Sequence, residues 1–448
     1  MSLQDIVNVS ISLQTTAVSR AGFGTPIFIG AHRWFTERVR SYTSLTAAAV
    51  DLPEGSDELA AVTSAFSQDV SPSTIKVGRR DVDLLTYTPD AVTAIGEVFE
   101  ITVVGTDDVA IAASFTTTTG SETATDVVTA LTAALSGIVG VTVGGTTTLT
   151  LAEATPGTPF AVTKITKLTQ AATVTETAGA TLTAIEAVDT DFYFIAANDH
   201  TEAFVLAMAA AVEARSKIYF VSVDEAGALA TLAIPATDIL GKLAENNYFR
   251  SSGWFHQNAD TTFPEMAFIA LAAPSDPGSK VWANNKIAGV PASADALGIP
   301  LTFTQESNLD ARNANWIGTV GGVDISRRGK VAGDEWIDAI RNRDFLEARL
   351  TEGLQNLLIN QPVIPYTDSG ISMVRSTVTS VLNRSVSTST TPSILQEKDP
   401  YTTDFPRAAD VPFADKQNRV LNASFTGFLA GAIQITNITG ELTFDNLA

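Results

Sequence analysis

The first hydrophobic pattern in the chain is a strict alternation. Val7, Val9, Ile11 and Leu13 fall on one side, and Asn8, Ser10, Ser12 and Gln14 on the other. A period of two is that of a β-strand with one buried face. No turn signal brings a partner strand directly after it. Two readings stay open: an edge strand of the chain's own sheet, or a strand given to another subunit. A Gly-rich stretch, Ala21 to Gly30, then feeds a short apolar strand, Ile27-Phe28-Ile29, and is followed by His32, Arg33, Trp34, Arg38 and Arg40. Glu58 to Phe66 reads as a short helix, Ser71-Pro72-Ser73 as a break, and Ile75 to Val77 as another strand.

Between Arg80 and Arg215 the pattern turns to Thr, Ala, Val and acidic residues, with Lys164 and Lys167 the only basic ones inside. Strands are expected at 97–104, 109–116, 141–143, 147–151 and 160–165, and a helix at 125–135. Gly144-Gly145 marks a hairpin turn. This acidic α+β module suits an exposed outer surface, where like charge blocks unwanted contacts. From Asp191 the pattern changes again. Phe192 to Ala196 is a near-continuous apolar strand and Ile218 to Val223 a second buried one, separated by an Ala-rich helical stretch, 202–214, and followed by a second one, 236–245. The stretches 248–256 and 266–272 extend the alternation. Strands apolar on both faces with helices between them indicate βαβ units and a mostly parallel sheet.

The strongest helix comes later. Trp336, Ile337, Ile340, Phe345, Leu346, Leu350, Leu354, Leu357 and Leu358 recur at three- and four-residue spacing, with Asp334 and Glu335 at the start and Pro362 beyond the end. An ordinary core-facing helix accounts for that apolar side. Residues 374–386 alternate weakly and read as β-like, and 385–392 as a Ser/Thr-rich loop. Residues 421–425 and 433–444 read as two strands joined across Gly427 to Gly431, placing Ile433 and Ile435 on a terminal strand.

Composition narrows the function. A chain of 448 residues exceeds one core, so roughly two to four domains are expected. With 45% hydrophobic and 17% charged residues it is globular rather than disordered. Its formal charge of −21 argues against direct nucleic-acid binding, which needs clustered Lys and Arg. There is no cysteine, so disulfides, thiolate metal sites and Cys nucleophiles are excluded. The opening residues lack a basic segment followed by an apolar one, and no run approaches the roughly 18–20 apolar residues of a membrane helix. Folding in the cytoplasm, without membrane insertion, is the expectation.

A catalytic reading finds no constellation. His32, His200 and His256 are far apart in sequence, none has a His or Glu at ligand spacing, and HExxH, GxSxG and CxxC are absent. The Gly-rich stretches at 22–24 and 318–322 lack phosphate-binding spacing and its Lys. Asp107-Asp108 and Asp189/Asp191 lack the alternating loop of a calcium site. No catalytic residue, cofactor site or metal site is expected. The one basic concentration is Arg312, Arg327, Arg328, Lys330, Arg341, Arg343 and Arg349. It suits either docking on an acidic partner or pairing with nearby Asp324, Asp334, Glu335 and Asp344.

Two quoted stretches, AVSRAGFGTPIFIG (17–30) and GDEWIDAIRNRDFLEARLTEGLQNLLIN (333–360), bracket a β-rich middle and an α/β region. In that order the chain resembles, along essentially its whole length, the tail sheath proteins of contractile-tailed bacteriophages (myoviruses). The resemblance implies an α+β multidomain fold: a central α/β (βαβ) sheath domain, an inserted β-rich outer domain and strand-exchanging termini. The implied division is an arm at 1–20, a middle domain at 21–90 and 191–310, an inserted outer domain at 91–190, and a tube-facing C-terminal domain with its arm at 311–448. Val7, Val9, Ile11, Leu13, Ile433 and Ile435 are then the intersubunit strand residues. Arg327, Arg328, Arg341, Arg343 and Arg349 are the tube-facing candidates.

The implied function is structural: stacked rings around a tail tube that contract and drive it through the host envelope. Implied partners are the chain itself, as a helical homo-oligomer, the tail tube protein, and baseplate and tail terminator proteins. The implied location is the virion, after assembly in host cytoplasm. Two rivals stand beside it, a surface or S-layer-like protein, which the Thr-rich module favours, and an α/β hydrolase-type enzyme on 191–300.

Overall fold

The computed structural model describes residues 22–434. Val7, Val9, Ile11, Leu13 and Ile435 lie outside the described residues. Among those described, 22–276, 280–340 and Gln434 form one compact unit, and 277–279 with 341–433 form another.

The larger unit is built on a six-stranded sheet in the order Ser251–Phe255, Ile218–Val223, Phe194–Ala197, Pro26–Gly30, Ile75–Arg79, Val39–Tyr42. The first five strands run parallel and the last antiparallel. Every residue of the five parallel strands is buried, which is why Pro26–Gly30 and Phe194–Ala197 read as unbroken apolar runs. On one face Ile27, Ile29, Ile195, Tyr219 and Val221 join a core with Leu182 and Ile185 of helix Ala178–Glu186 and Val205, Met208 and Val212 of helix Glu202–Glu213. On the other, Phe28 meets Phe263 edge-on at 5.1 Å between ring centroids, and Phe194 and Phe220 pack on Trp282 at 5.7 and 4.9 Å. Burying each such side chain stabilises by about 1.5–3 kcal/mol. Residues 311–340 belong to this unit as well. Trp316 lies in the same core, and Asn315 bridges to Trp254 of the edge strand.

In the chain between Ile75–Arg79 and Phe194–Ala197, two further antiparallel sheets form. One has the order Leu168–Thr173, Leu84–Pro89, Leu149–Glu153, Val141–Gly144; the other is Ala110–Thr116, Val98–Val104, Ala161–Thr166. Helix Ala124–Ala134, opened by a capping box of Thr123 and Asp126, buries Val127, Val128 and Leu131. The hairpin at Gly144-Gly145 forms as its sequence signals. Gly145 has φ +108°, and a Cβ there would stand 1.8 Å from the Thr148 carbonyl oxygen. Three elements were not expected: strands Leu84–Pro89 and Leu168–Thr173 and helix Ala178–Glu186.

The smaller unit holds helix Asp368–Arg384, most of helix Ile337–Asn360, and a two-stranded antiparallel sheet, Tyr401–Asp404 with Ser424–Gly427. Here the weak alternation at 374–386 misleads. That stretch is helical to Arg384, started by Thr367, whose hydroxyl accepts from Gly370 N at 3.1 Å. Its buried residues Ile371, Val378 and Leu382 stand seven and four apart, a helical interval that the intervening Val and Thr disguise as strand. In the larger unit, residues 266–272, read as continuing the alternation, lie in helix Pro264–Ala272, which has Pro264 in its first turn and is buried on nearly every side.

Candidate assembly surfaces

The described histidines are structural. Burial and then the charge of Arg79 push His32 well below its ordinary pKa, and its Nδ1 accepts from Trp34 N at 3.2 Å. Burial also lowers His256, whose Nδ1 accepts from Asn258 N. His200 goes the other way. Burial opposes its charge, but Glu265 and Asp260, 3.3 and 2.7 Å from its two ring nitrogens, carry its pKa up to about 10. It is an imidazolium that ties helix Pro264–Ala272 to the end of strand Phe194–Ala197. Among the described residues no cluster of three or more His, Cys, Asp or Glu side chains is arranged to hold a metal.

Glu58 is the buried acid that sequence reading missed. It sits in the first turn of helix Asp57–Phe66, and its Oε2 accepts from Trp34 Nε1 at 2.8 Å. Burial pushes its carboxyl up to about 7, against the lowering effect of that hydrogen bond. The folded chain therefore keeps a proton that the unfolded chain loses near 4.5. The contribution of Glu58 to stability is greatest below 4.5, falls as pH rises towards 7, and is flat above. Glu58→Gln keeps the acceptor for Trp34 and removes the titration. It is expected to raise stability at pH 8 by up to about 3 kcal/mol and to change little at pH 4. Thermal melts across pH check this, and a wild type and variant whose curves run parallel would overturn it.

The basic concentration largely pairs locally. Arg312 is buried against Asp238 at 2.8 Å, Arg328 binds Asp310, Lys330 binds Asp334, and Arg349 meets Glu352 at 2.7 Å. Arg343 contacts Asp344 at 3.3 Å yet leaves 60% of its side chain exposed. Arg341 is only 3% exposed, so its charge is not offered at a surface of the subunit; it lies on the packed side of the helix. Arg327 is half-buried in strand Val323–Arg327. Ile433 is 89% exposed and belongs to no strand. The apolar side of the long helix is buried in its first half, at Ile337, Ile340 and Leu346. It is not buried at its end, where Leu358 is exposed. An ordinary core-facing helix therefore accounts for only part of that side.

The two units together make a mixed α/β, multi-sheet fold, and this fold is the one found in contractile sheath proteins. The helical sheath of the anti-feeding prophage in its contracted state matches with a TM-score of 0.55 at 11% identity, over 99% of this chain and 100% of that one. The contracted sheath complex of the extracellular contractile injection system PVC matches at 0.54 and 10% identity, over 98% and 96%. A chain of the contracted anti-feeding prophage baseplate matches at 0.54 and 13% identity, over the full length of both. At such identities the likeness is one of fold. No family model and no curated protein matches the sequence.

Proposed function

We propose that this chain is the structural subunit of a contractile phage tail sheath, polymerising helically around a tail tube and contracting to drive it through the host envelope. The carrying observation is the end-to-end match to a contracted helical sheath, which takes in both units, the acidic sheets of the larger one included. A structural role also agrees with the three histidines, each committed to packing or to an internal ion pair. Neither a surface-layer protein nor a hydrolase gains support from any described feature.

In this reading the termini exchange strands. The sheet of Tyr401–Asp404 and Ser424–Gly427 is the receiving site, since two strands of four residues are marginal alone and are steadied by a third. Val7, Val9, Ile11 and Leu13, with Ile433 and Ile435, supply the donated strands. The acidic module of residues 91–190 faces outward. The tube-facing surface presents Arg327 and Arg328 of the larger unit and Arg343 and Arg349 of the smaller one; Arg341 drops out because it is buried. Beyond itself, the subunit's partners are the tail tube, baseplate and terminator proteins, within the virion and, during assembly, the host cytoplasm.

Electron microscopy of the purified protein tests this. Hollow helical tubes are expected, with the named arginines on the lumen side of a reconstruction. A protein that stays monomeric under all polymerising conditions rejects the sheath, and a map placing those arginines on the outer wall rejects their assignment.

A further inference from the structure

Charge is divided unevenly between the two units. The smaller one, residues 277–279 and 341–433, holds 9 Lys and Arg against 9 Asp and Glu and is formally neutral. The described part of the larger one holds 18 against 37, a formal charge of −19. Residues 1–21 balance as well, with Arg20 against Asp5. Nearly all of the chain's net charge of −21 therefore sits on one unit.

The larger unit uses its cations internally. Arg33, Lys76, Arg79, Arg80 and Arg312 are buried, each beside a carboxylate of the same unit. At the surface Lys164 and Lys167 pair with Glu100 and Glu97. The acids outnumber such partners. Glu54, Asp69, Asp108 and Asp224 stand exposed with no ion-pair partner among the described residues.

We propose that salt strengthens the polymerisation of this chain, because the leading long-range force between neighbouring larger units is repulsion. A body of charge −19 repels its copy and, to leading order, is indifferent to a neutral one. Assemblies held by complementary charged patches weaken in salt, which screens their attraction. Here most cations that could complement a neighbour's acids are already paired, so salt screens mainly repulsion. This inference rests on the homopolymer proposed above.

The test measures the critical concentration for polymer by sedimenting the full chain in sodium chloride from about 20 to about 300 mM. Over that range the screening length shortens from roughly 20 Å to roughly 6 Å. The critical concentration is expected to fall at least about threefold. A Glu54→Gln/Asp69→Asn/Asp108→Asn/Asp224→Asn variant should polymerise at lower concentration in low salt and respond less to added salt. Its four substituted side chains are exposed and unpaired, so the melting curve should not fall. A critical concentration that rises with salt, or does not move, overturns the inference and leaves the sheath reading standing. So does a variant that responds to salt as the wild type does. A wild type that polymerises at no salt concentration overturns both. Should the variant melt early, the wild type alone decides, in sodium chloride against sodium bromide at equal ionic strength. Screening is blind to the anion, so equal shifts support repulsion, and a shift that differs between the two overturns it.

Discussion

Replacing Arg312 with alanine is expected to destabilise the larger unit by about 3–5 kcal/mol, the range seen when one partner of a buried ion pair is removed. Arg312 and Asp238 are both almost wholly buried. The Arg312 Nε reaches the two carboxylate oxygens at 3.0 and 3.1 Å, and Nη2 reaches Oδ2 at 2.8 Å. The remaining donors bind the carbonyls of Ala230, Asn308 and Gly227 at 2.8, 2.9 and 3.1 Å. All five guanidinium N–H groups are thus used. Asp238 also starts helix Ile239–Glu245, accepting from Gly241 N at 2.8 Å.

Alanine removes the fork and leaves the carboxylate stranded among three orphaned carbonyls. Lysine, with one ammonium, cannot reproduce the planar geometry. The pH dependence should change with it. Burial alone would raise the Asp238 carboxyl, but the Arg312 hydrogen bonds hold it below its ordinary value of 3.8. Its contribution is present above that value and is lost as pH falls through the lower, folded one. Denaturant titrations at pH 7 and in acid measure both effects. A loss under 1 kcal/mol at pH 7 would place this pair among ordinary surface contacts.

Deleting residues 1–14 is expected to abolish tube formation while leaving a folded subunit. A strand of the length of residues 6–14 makes roughly six to eight ladder hydrogen bonds when it pairs, each worth about 0.5–1.5 kcal/mol net. Burying Val7, Val9, Ile11 and Leu13 adds about 1.5–3 kcal/mol apiece before the cost of ordering the arm. In the proposed strand exchange those terms belong to the contact between subunits, so losing them is expected to cost assembly rather than the fold. Sedimentation and a melting curve on the same sample separate the two. Normal tubes from the truncated chain would show that the arm is not the link.

Much of the central sheet could be read from residues alone. Ile218 to Val223 is buried on both faces, and with Ser222 its one polar residue the run shows no helical spacing of polar positions. Leu168–Thr173 is different: only Leu168 is buried, and LTQAAT is held as a strand by pairing with Leu84–Pro89 rather than by any pattern of its own. The stretch at 374–386 carried a helical period at Ile371, Val378 and Leu382, outweighed to the eye by β-branched residues between them. The basic concentration was visible, but Arg312 finds its carboxylate 74 residues away, a pairing that no local spacing announces. Arg341 and Arg343 stand two apart on one helix and face opposite environments, which spacing alone does suggest once the packed side is known.

The base of the acidic sheets has a consequence for how this protein can vary. Asp83 N donates to the Thr173 carbonyl at 2.9 Å, and the Asp83 carboxylate accepts from Thr175 N and its hydroxyl at 2.6 and 3.1 Å. The chain leaves the central core and returns to it through this clamp, and the sheets beyond it touch the core again at Arg33, which pairs with Glu153 at 2.9 Å and whose carbonyl accepts from Val162 N at 2.6 Å. Turns of those sheets that touch nothing of the core can lengthen or shrink with almost no change in closure entropy felt by it. A tag, an epitope or a receptor-binding domain grafted there inherits a fixed stalk.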